Sequence, residues 1–256
     1  MKIYMKILVS FALENEFAPW RRLRTFTRAA ELDFAAYDTK VGAADVRVIL
    51  TGVGPDRARS VIARALQWKP NVCISSGVAG SLRATYRAGE VFVAREVMEL
   101  ESGRTIAMDR QLLEAAERRG IRLAERLLSS ANMVVTAEGK SRLGRMAEAV
   151  EMESFAVLAE AEGRKIPGVA IRAISDGADQ DLPMDFSGVL DDEGKVKASK
   201  VALSLARAPH KLPALLRLGR DTKLAATKLA EFLDGYIVDL AARVDRPSEM
   251  AGATRA

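Results

Sequence analysis

Short apolar runs of four to eight residues, separated by polar or glycine-bearing turns and by stretches with helical periodicity, recur along the chain. Residues 6–13 read as a first strand, 34–41 as an edge strand or hairpin arm, and 46–50 as a continuous apolar strand running into T-G-V-G-P. Pro55 and Asp56 then open a helix through Gln67. Strands follow over 72–75, 91–97 and 132–136, with helices over 109–119 and 138–146. Residues 153–164 form an amphipathic helix with Phe155, Leu158, Ala159 and Ala161 on or near its inner face. The run V-A-I-R-A-I-S-D reads as a buried strand ending at Asp176, and the loop after it carries three more aspartates. Strands alternating with helices predict an α/β protein, a wound sheet with helices on both faces. Beyond it, Leu/Ala periodicity over 194–240, broken by Pro209 and Pro213, predicts a helical C-terminal extension.

Composition narrows this picture. Apolar residues make up 49% of the 256, enough for a sizeable core, and no run approaches the roughly 18 residues of a membrane span. The expectation is a soluble protein. The first residues imitate a signal peptide, but Glu14 follows at once and no small-residue cleavage site appears. The single cysteine, Cys73, sits in an apolar strand as a small buried hydrophobe; no disulfide within the chain is possible, which suits a cytoplasmic location. The net charge of +5 is regional: residues 195–228 hold nine Lys/Arg against one acid, Asp221, a local +8 that leaves the remainder at −3. With few aromatics to interleave, this does not describe a nucleic-acid binder.

Candidate chemistry clusters at predicted strand ends, where open α/β sheets place their ligands. Asp176 is the last residue of a strand and points into the crevice, or else it caps the next segment. Glu14 and Glu16 sit just past the first strand, and at least one of them is simply solvated. The G-V-G-P turn lacks the third glycine of a dinucleotide site, since Arg57 takes its place, so NAD is not expected. A second glycine turn, S-S-G-V-A-G-S-L with Gly77 and Gly80, either lets main-chain N–H groups crowd a small ligand or packs sheet on helix.

The segments G-V-G-P, S-G-V-A-G-S-L, G-E-V-F-V-A, V-E-M-E-S and R-A-I-S-D-G-A-D, in this order, resemble the purine nucleoside phosphorylase and methylthioadenosine/S-adenosylhomocysteine nucleosidase family over residues 6–186. The resemblance implies a three-layer, phosphorylase/hydrolase-like fold. E-G-K-S-R-L-G-R-M-A-E-A-V-E-M-E-S and A-R-A-P-H-K-L-P-A-L-L-R-L-G-R-D are similar to the hopanoid-associated branch, implicated in removing adenine from an adenosylated hopanoid lipid. Cleaving a ribosyl C–N bond passes through a cationic sugar, so the site needs an acid on the base, hydrogen bonds to the sugar and an activated nucleophile.

Carried over residue by residue, the resemblance makes Asp176 the acid that protonates or hydrogen-bonds purine N7 and Glu153 the acceptor of the ribose 2′ and 3′ hydroxyls. Met152 packs on the sugar or is a plain core residue, and Glu151, two residues from Glu153, is expected to be solvated. A-L-E-N-E puts Glu16 where the nucleosidases activate water; a carboxylate there repels phosphate, so hydrolysis is expected over phosphorolysis. Arg21, Arg22 and Arg24 form an exposed helical face or bind phosphate. Arg172 matches a family arginine near the nucleophile and needs a partner, for which Asp176 and Glu16 are the natural candidates. Val78 stands where nucleosidases have serine, so the lost hydrogen bond is missing or comes from Ser76, beside Gly77. The base-binding loop after Val135 lacks the expected stacking aromatic. Both departures accord with an unusual 5′ substituent.

The expected organisation is an α/β domain over 1–190, a basic helical extension over 191–245 and a disordered tail over 246–256. The extension packs on its own domain or on a second subunit, or else it rests on anionic lipid through 195–228, where Leu212, Leu215, Leu216 and Leu218 adjoin Lys211, Arg217 and Arg220. The predicted activity is release of the base from an adenine-type nucleoside, without cofactor or metal, phosphate being a co-substrate only if cleavage is phosphorolytic. The family usually assembles as dimers. The reading from another class is a non-catalytic nucleoside-binding or membrane-surface protein.

Overall fold

The computed structural model describes residues 5–184, 186 and 207–244. The chain opens with β1 (Met5–Phe11), α1 (Glu14–Leu23), the two-residue β2 (Thr27–Arg28), and the hairpin β3 (Ala36–Val41) and β4 (Ala44–Leu50). It continues through α2 (Pro55–Ala65), β5 (Val72–Ser81), β6 (Val91–Glu99), β7 (Thr105–Ala107), α3 (Arg110–Glu117) and β8 (Arg122–Ser129). The last elements are α4 (Ala137–Leu143), β9 (Ala149–Glu151), α5 (Ser154–Gly163), β10 (Gly168–Asp176) and α6 (Leu212–Val244). All ten strands belong to one mixed sheet flanked by helices, as the alternation predicts.

The sheet order is β10-β6-β8-β9-β5-β1-β4-β3-β2, and β10 also pairs with β5. Five strands therefore close into a ring, from which β1, β4, β3 and β2 extend as an open wing. Alternation divides β1 between two cores: Ile7, Val9 and Phe11 pack with α1 and α6, while Leu8 joins Cys73 and the α2–α5 side. Cys73 is fully buried, and burial pushes its thiol up to about 12, so it remains an inert hydrophobe.

Several elements differ from the sequence reading. The run S-S-G-V-A-G-S is the second half of β5, which continues to Ser81 instead of turning. Residues 132–136 form no strand, because their backbone groups have no strand neighbour; the strand in this region is β8, whose R-L-A-E-R-L-L-S lacks a strict alternation. The prolines do not divide the final helix: Pro209 lies in a short 3-10 turn and Pro213 in the first turn of α6, where its missing N–H has no partner to lose. Residues 191–206 of the basic extension and the 246–256 tail lie outside the described residues.

The two halves of α6 have different surroundings. From Ala225 to Ala241 it buries Leu229, Leu233, Tyr236, Ile237 and Leu240 against the sheet and α1. The Tyr236 hydroxyl donates to Leu112 O at 2.9 Å, and Trp20 Nε1 donates to Asp234 Oδ1 at 3.0 Å, so the packed half is pinned by polar contacts as well. The first turns are exposed, with Leu212 at 44% and Leu216 at 65%. None of the described helices is long and apolar enough to cross a membrane. Leu233→Ala is expected to cost about 2–5 kcal/mol in urea unfolding, and Leu216→Ala to stay within about 0.5 kcal/mol of the parent.

Candidate active site

The site occupies the place where the open wing parts from the ring. β1 pairs with β5 only from Val72 to Ser75, and β9 takes the same edge of β5 only at Gly80 and Ser81. The intervening edge faces neither strand, which frees main-chain donors at a topological switch point. Glu16, in the first turn of α1, fills this gap: its Oε1 accepts from Val78 N at 3.0 Å and its Oε2 from Ala12 N at 3.0 Å and Leu13 N at 2.9 Å. The latter two are donors left free where β1 passes into a helix, the same need that a capping glutamate meets. Gly77 is required beneath this carboxylate, since a Cβ there would lie 3.0 Å from Oε1. Burial pushes the Glu16 carboxyl above its ordinary value, against the pull of the three N–H groups and of Arg172.

Arg172, 2% exposed on β10, anchors the next layer. Its Nη2 reaches Glu151 Oε2 at 2.7 Å, Ser154 Oγ at 2.7 Å and Ser75 Oγ at 3.0 Å. Glu151 is thus the partner of Arg172, in place of Asp176 or Glu16. It is also buried rather than solvated: it ends β9, outside the helix, and accepts from the otherwise free Glu153 and Ser154 N–H groups at the start of α5, at 3.0 and 2.9 Å. Glu153 Oε1 accepts from Gly54 N at 2.7 Å, which joins the G-V-G-P turn to the V-E-M-E segment. Burial, with the neighbouring Glu151 carboxylate second, pushes the Glu153 carboxyl up to about 8.

Asp176 closes the opposite side at the end of β10, beside Gly80; a Cβ on that glycine would come within 3.0 Å of Oδ2. Its Oδ1 accepts from Ser175 Oγ at 2.6 Å and its Oδ2 from Lys140 Nζ at 2.5 Å. Lys140, 1% exposed on α4, escaped the sequence analysis because a lysine within E-G-K-S-R reads as part of a solvated helical face.

Glu16, Val78, Met152, Glu153 and Asp176 line one cavity of about 680 Å³, together with Glu151 and Gly80. Residues 132–134 of the 130s loop, Phe186 and the α6 residues Leu215, Leu218 and Thr222 also line it. The three acids that the resemblance singled out therefore converge. Four expected residues do not line the cavity: Gly77 lies under Glu16, Arg172 behind Glu151, and Ser76 Oγ is buried without a hydrogen-bond partner, while Val135 accepts from Leu182 N through its carbonyl. Arg21 pairs with Glu14 at 2.5 Å and Arg24 with Asp234, leaving Arg22 as the arginine of that trio at the cavity wall. No group of three or more His, Cys, Asp or Glu among the described residues could hold a metal ion.

A sequence profile of the Phosphorylase superfamily matches residues 6–207. The chain is 27% identical over 195 residues to the 5′-methylthioadenosine/S-adenosylhomocysteine nucleosidase of Glaesserella parasuis, covering 66% of this chain and 84% of that protein. It is 26% identical to the nucleosidase of the same name from Anoxybacillus flavithermus, covering 73% and 91%. Similar solved structures include the Neisseria meningitidis nucleosidase in complex with methylthio-immucillin-A, at a TM-score of 0.70 and 21% identity over 93% of this chain and 99% of that one. The native futalosine hydrolase of Helicobacter pylori also superposes at a TM-score of 0.70, with 18% identity over 91% and 97%.

The raised Glu153 carboxyl has a consequence for stability. The folded protein holds a proton there between the ordinary value of 4.5 and about 8, so this residue's contribution is fullest below that interval and is lost as pH rises through it. Glu153→Gln mimics the protonated form at every pH. Its Tm relative to the parent should rise by ~4 °C or more between pH 5 and pH 9; a difference that stays constant across that range would show that the proton is not held.

Proposed function

Since this chain belongs to the Phosphorylase superfamily and is an N-glycosyl-cleaving enzyme, we propose that it hydrolyses the glycosidic bond of an adenine nucleoside. The observation that carries this reading is the clasp on Glu16. The Val78, Ala12 and Leu13 N–H groups that could otherwise hold a phosphate already hold a carboxylate, and Arg172 Nη2 is committed to Glu151 and two serines, which leaves Arg22 as the arginine at the cavity wall that a phosphate would have to use. A phosphate dianion beside Glu16 would be repelled, whereas neutral water is attracted by it. Three of the carboxylate's roughly four acceptor positions are used, leaving one for a water molecule.

The steps follow from this arrangement. Asp176 accepts a hydrogen bond from purine N7 as that nitrogen is protonated, so that the electron pair of the breaking C1′–N9 bond leaves on a neutral base. Glu153 holds the ribose hydroxyls and Met152 covers the ring. The cationic sugar gathers beside Glu16, which takes a proton from water as the oxygen bonds to C1′. The nucleosidases named above, whose names specify 5′-methylthioadenosine and S-adenosylhomocysteine, support adenine as the base.

The sharper reading is an adenosylated hopanoid lipid, or an adenosine with a comparably large apolar 5′ group. Ala18 and Pro19 of α1, Phe186, and Leu215 and Leu218 of α6 give the cavity an apolar wall that supports it. The first turns of α6 expose Leu212 and Leu216 beside Arg217 and Arg220, a combination suited to peripheral contact with anionic lipid.

Incubation with adenosine and 5′-alkylated adenosines, followed by chromatography, tests the reading. Adenine and free ribose should appear without phosphate, and apolar 5′ groups should raise kcat/KM. Strict dependence on phosphate, with ribose 1-phosphate as product, would transfer the enzyme to the phosphorolytic class; binding without release of adenine would make it a binding protein. Glu16→Gln should lower kcat by about 10²–10⁴-fold. Because burial raises the Glu16 carboxyl and the base must be ionised, parent activity should fall on the acid side at a pH above the ordinary carboxylate range of about 4.5.

A further inference from the structure

Lys140 is a buried ammonium whose three donors are all engaged. Beyond Asp176 Oδ2, its Nζ donates to Gly177 O and Gln180 O, each at 2.8 Å. Two of its three acceptors thus belong to the loop that follows Asp176, and the third is Asp176 itself. Taking an ammonium out of water costs several kcal/mol, so α4 keeps one here only in a site that compensates it fully. Asp176, whose other oxygen accepts from Ser175 Oγ, is consequently fixed at both carboxyl oxygens where it meets the cavity.

We propose that Lys140 is a positioning residue for departure of the base, acting through Asp176: it holds the carboxylate at the cavity wall, oriented to meet the departing purine. The inference rests on the hydrolytic reading above. As the C1′–N9 bond breaks and its electrons pass to the base, purine N7 takes a proton from solvent water, and the new N7–H donates to the Asp176 carboxylate that Lys140 holds in place. The carboxylate accepts from N7–H only once that proton is in place, so the contact that Lys140 positions is stronger in the transition state than before it. A contact of this kind raises kcat and leaves KM nearly unchanged. The two carbonyl contacts hold the 177–180 loop in place around the same carboxyl group.

A double-mutant cycle with Lys140→Met and Asp176→Asn, assayed as adenine release from adenosine or its best-cleaved 5′ derivative, tests this. Lys140→Met is expected to lower kcat by about 10²–10³-fold with KM within threefold. Added to Asp176→Asn, it should cost less than a further threefold, because its effect passes through the carboxyl group already removed. A further loss of tenfold or more in the double variant, or a loss confined to KM, would overturn the proposal. If Lys140→Met does not fold, Lys140→Gln, which keeps two amide donors and no charge, takes its place in the cycle. Failure of the parent enzyme to release adenine from any of these nucleosides would instead overturn the hydrolytic reading.

Discussion

One guanidinium, paired with Glu151, sets the charge around the three glutamates of a single cavity. Arg172 lies on the strand shared by the ring and the core, pairs directly with Glu151, and its charge opposes the raising of the Glu16 and Glu153 carboxyls. An arginine this deeply buried is tolerated because Glu151, Ser75, Ser154 and Ile171 O meet its donors, although Nε has no partner. Glu151 in turn accepts the free N–H groups at the start of α5, so one ion pair joins β10, β9, β5 and the helix that follows the V-E-M-E segment. Removing either partner leaves a buried charge and releases the segment that carries Glu153.

The split in the sheet gives this ion pair something to organise. A sheet in which β1 stayed paired with β5 to its end would have engaged Val78 N in a ladder bond. Here β5 is ten residues long and changes neighbour along one edge, from β1 to β9, and the unclaimed N–H is the one that Glu16 accepts. Gly77 and Gly80 in this stretch are explained by approach: each would put a Cβ 3.0 Å from a carboxylate oxygen of Glu16 or Asp176. Both glycines are thus tied sterically to acids that are remote in sequence.

The sequence is legible where its signals are local. Acids at predicted strand ends are local, and Glu16 and Asp176 stand out that way, while the family resemblance singles out Glu153 and assigns all three roles. The strand order, the closure of β10 on β5 and the extension of β5 through its glycines depend on pairing between distant segments, which no short window contains. Glu151 and Lys140 were misread or missed for one reason: charged residues beside helices look solvated until a buried partner is known, and those partners are 21 and 36 residues away. The 130s loop misled in the opposite direction, since Met133 and Val134 are apolar where they line a cavity, without forming a strand.

The charges at the two ends of the cavity are arranged differently, and the difference suits the reaction. At the base end the Asp176 carboxylate and the Lys140 ammonium form a balanced pair. At the sugar end Glu16, Glu151 and Glu153 face one guanidinium, so the environment is electronegative even with Glu153 protonated. A neutral nucleoside gains little from that asymmetry. As the glycosidic bond breaks, positive charge grows on the sugar and the departing base acquires an N7–H for Asp176 to accept; both ends of the site then match the reacting molecule better than they matched the bound substrate. The folding cost of crowding three carboxyl groups is therefore tied to the same interaction that would lower the barrier: the burial that raises Glu153 also keeps water from screening the field the developing cation meets.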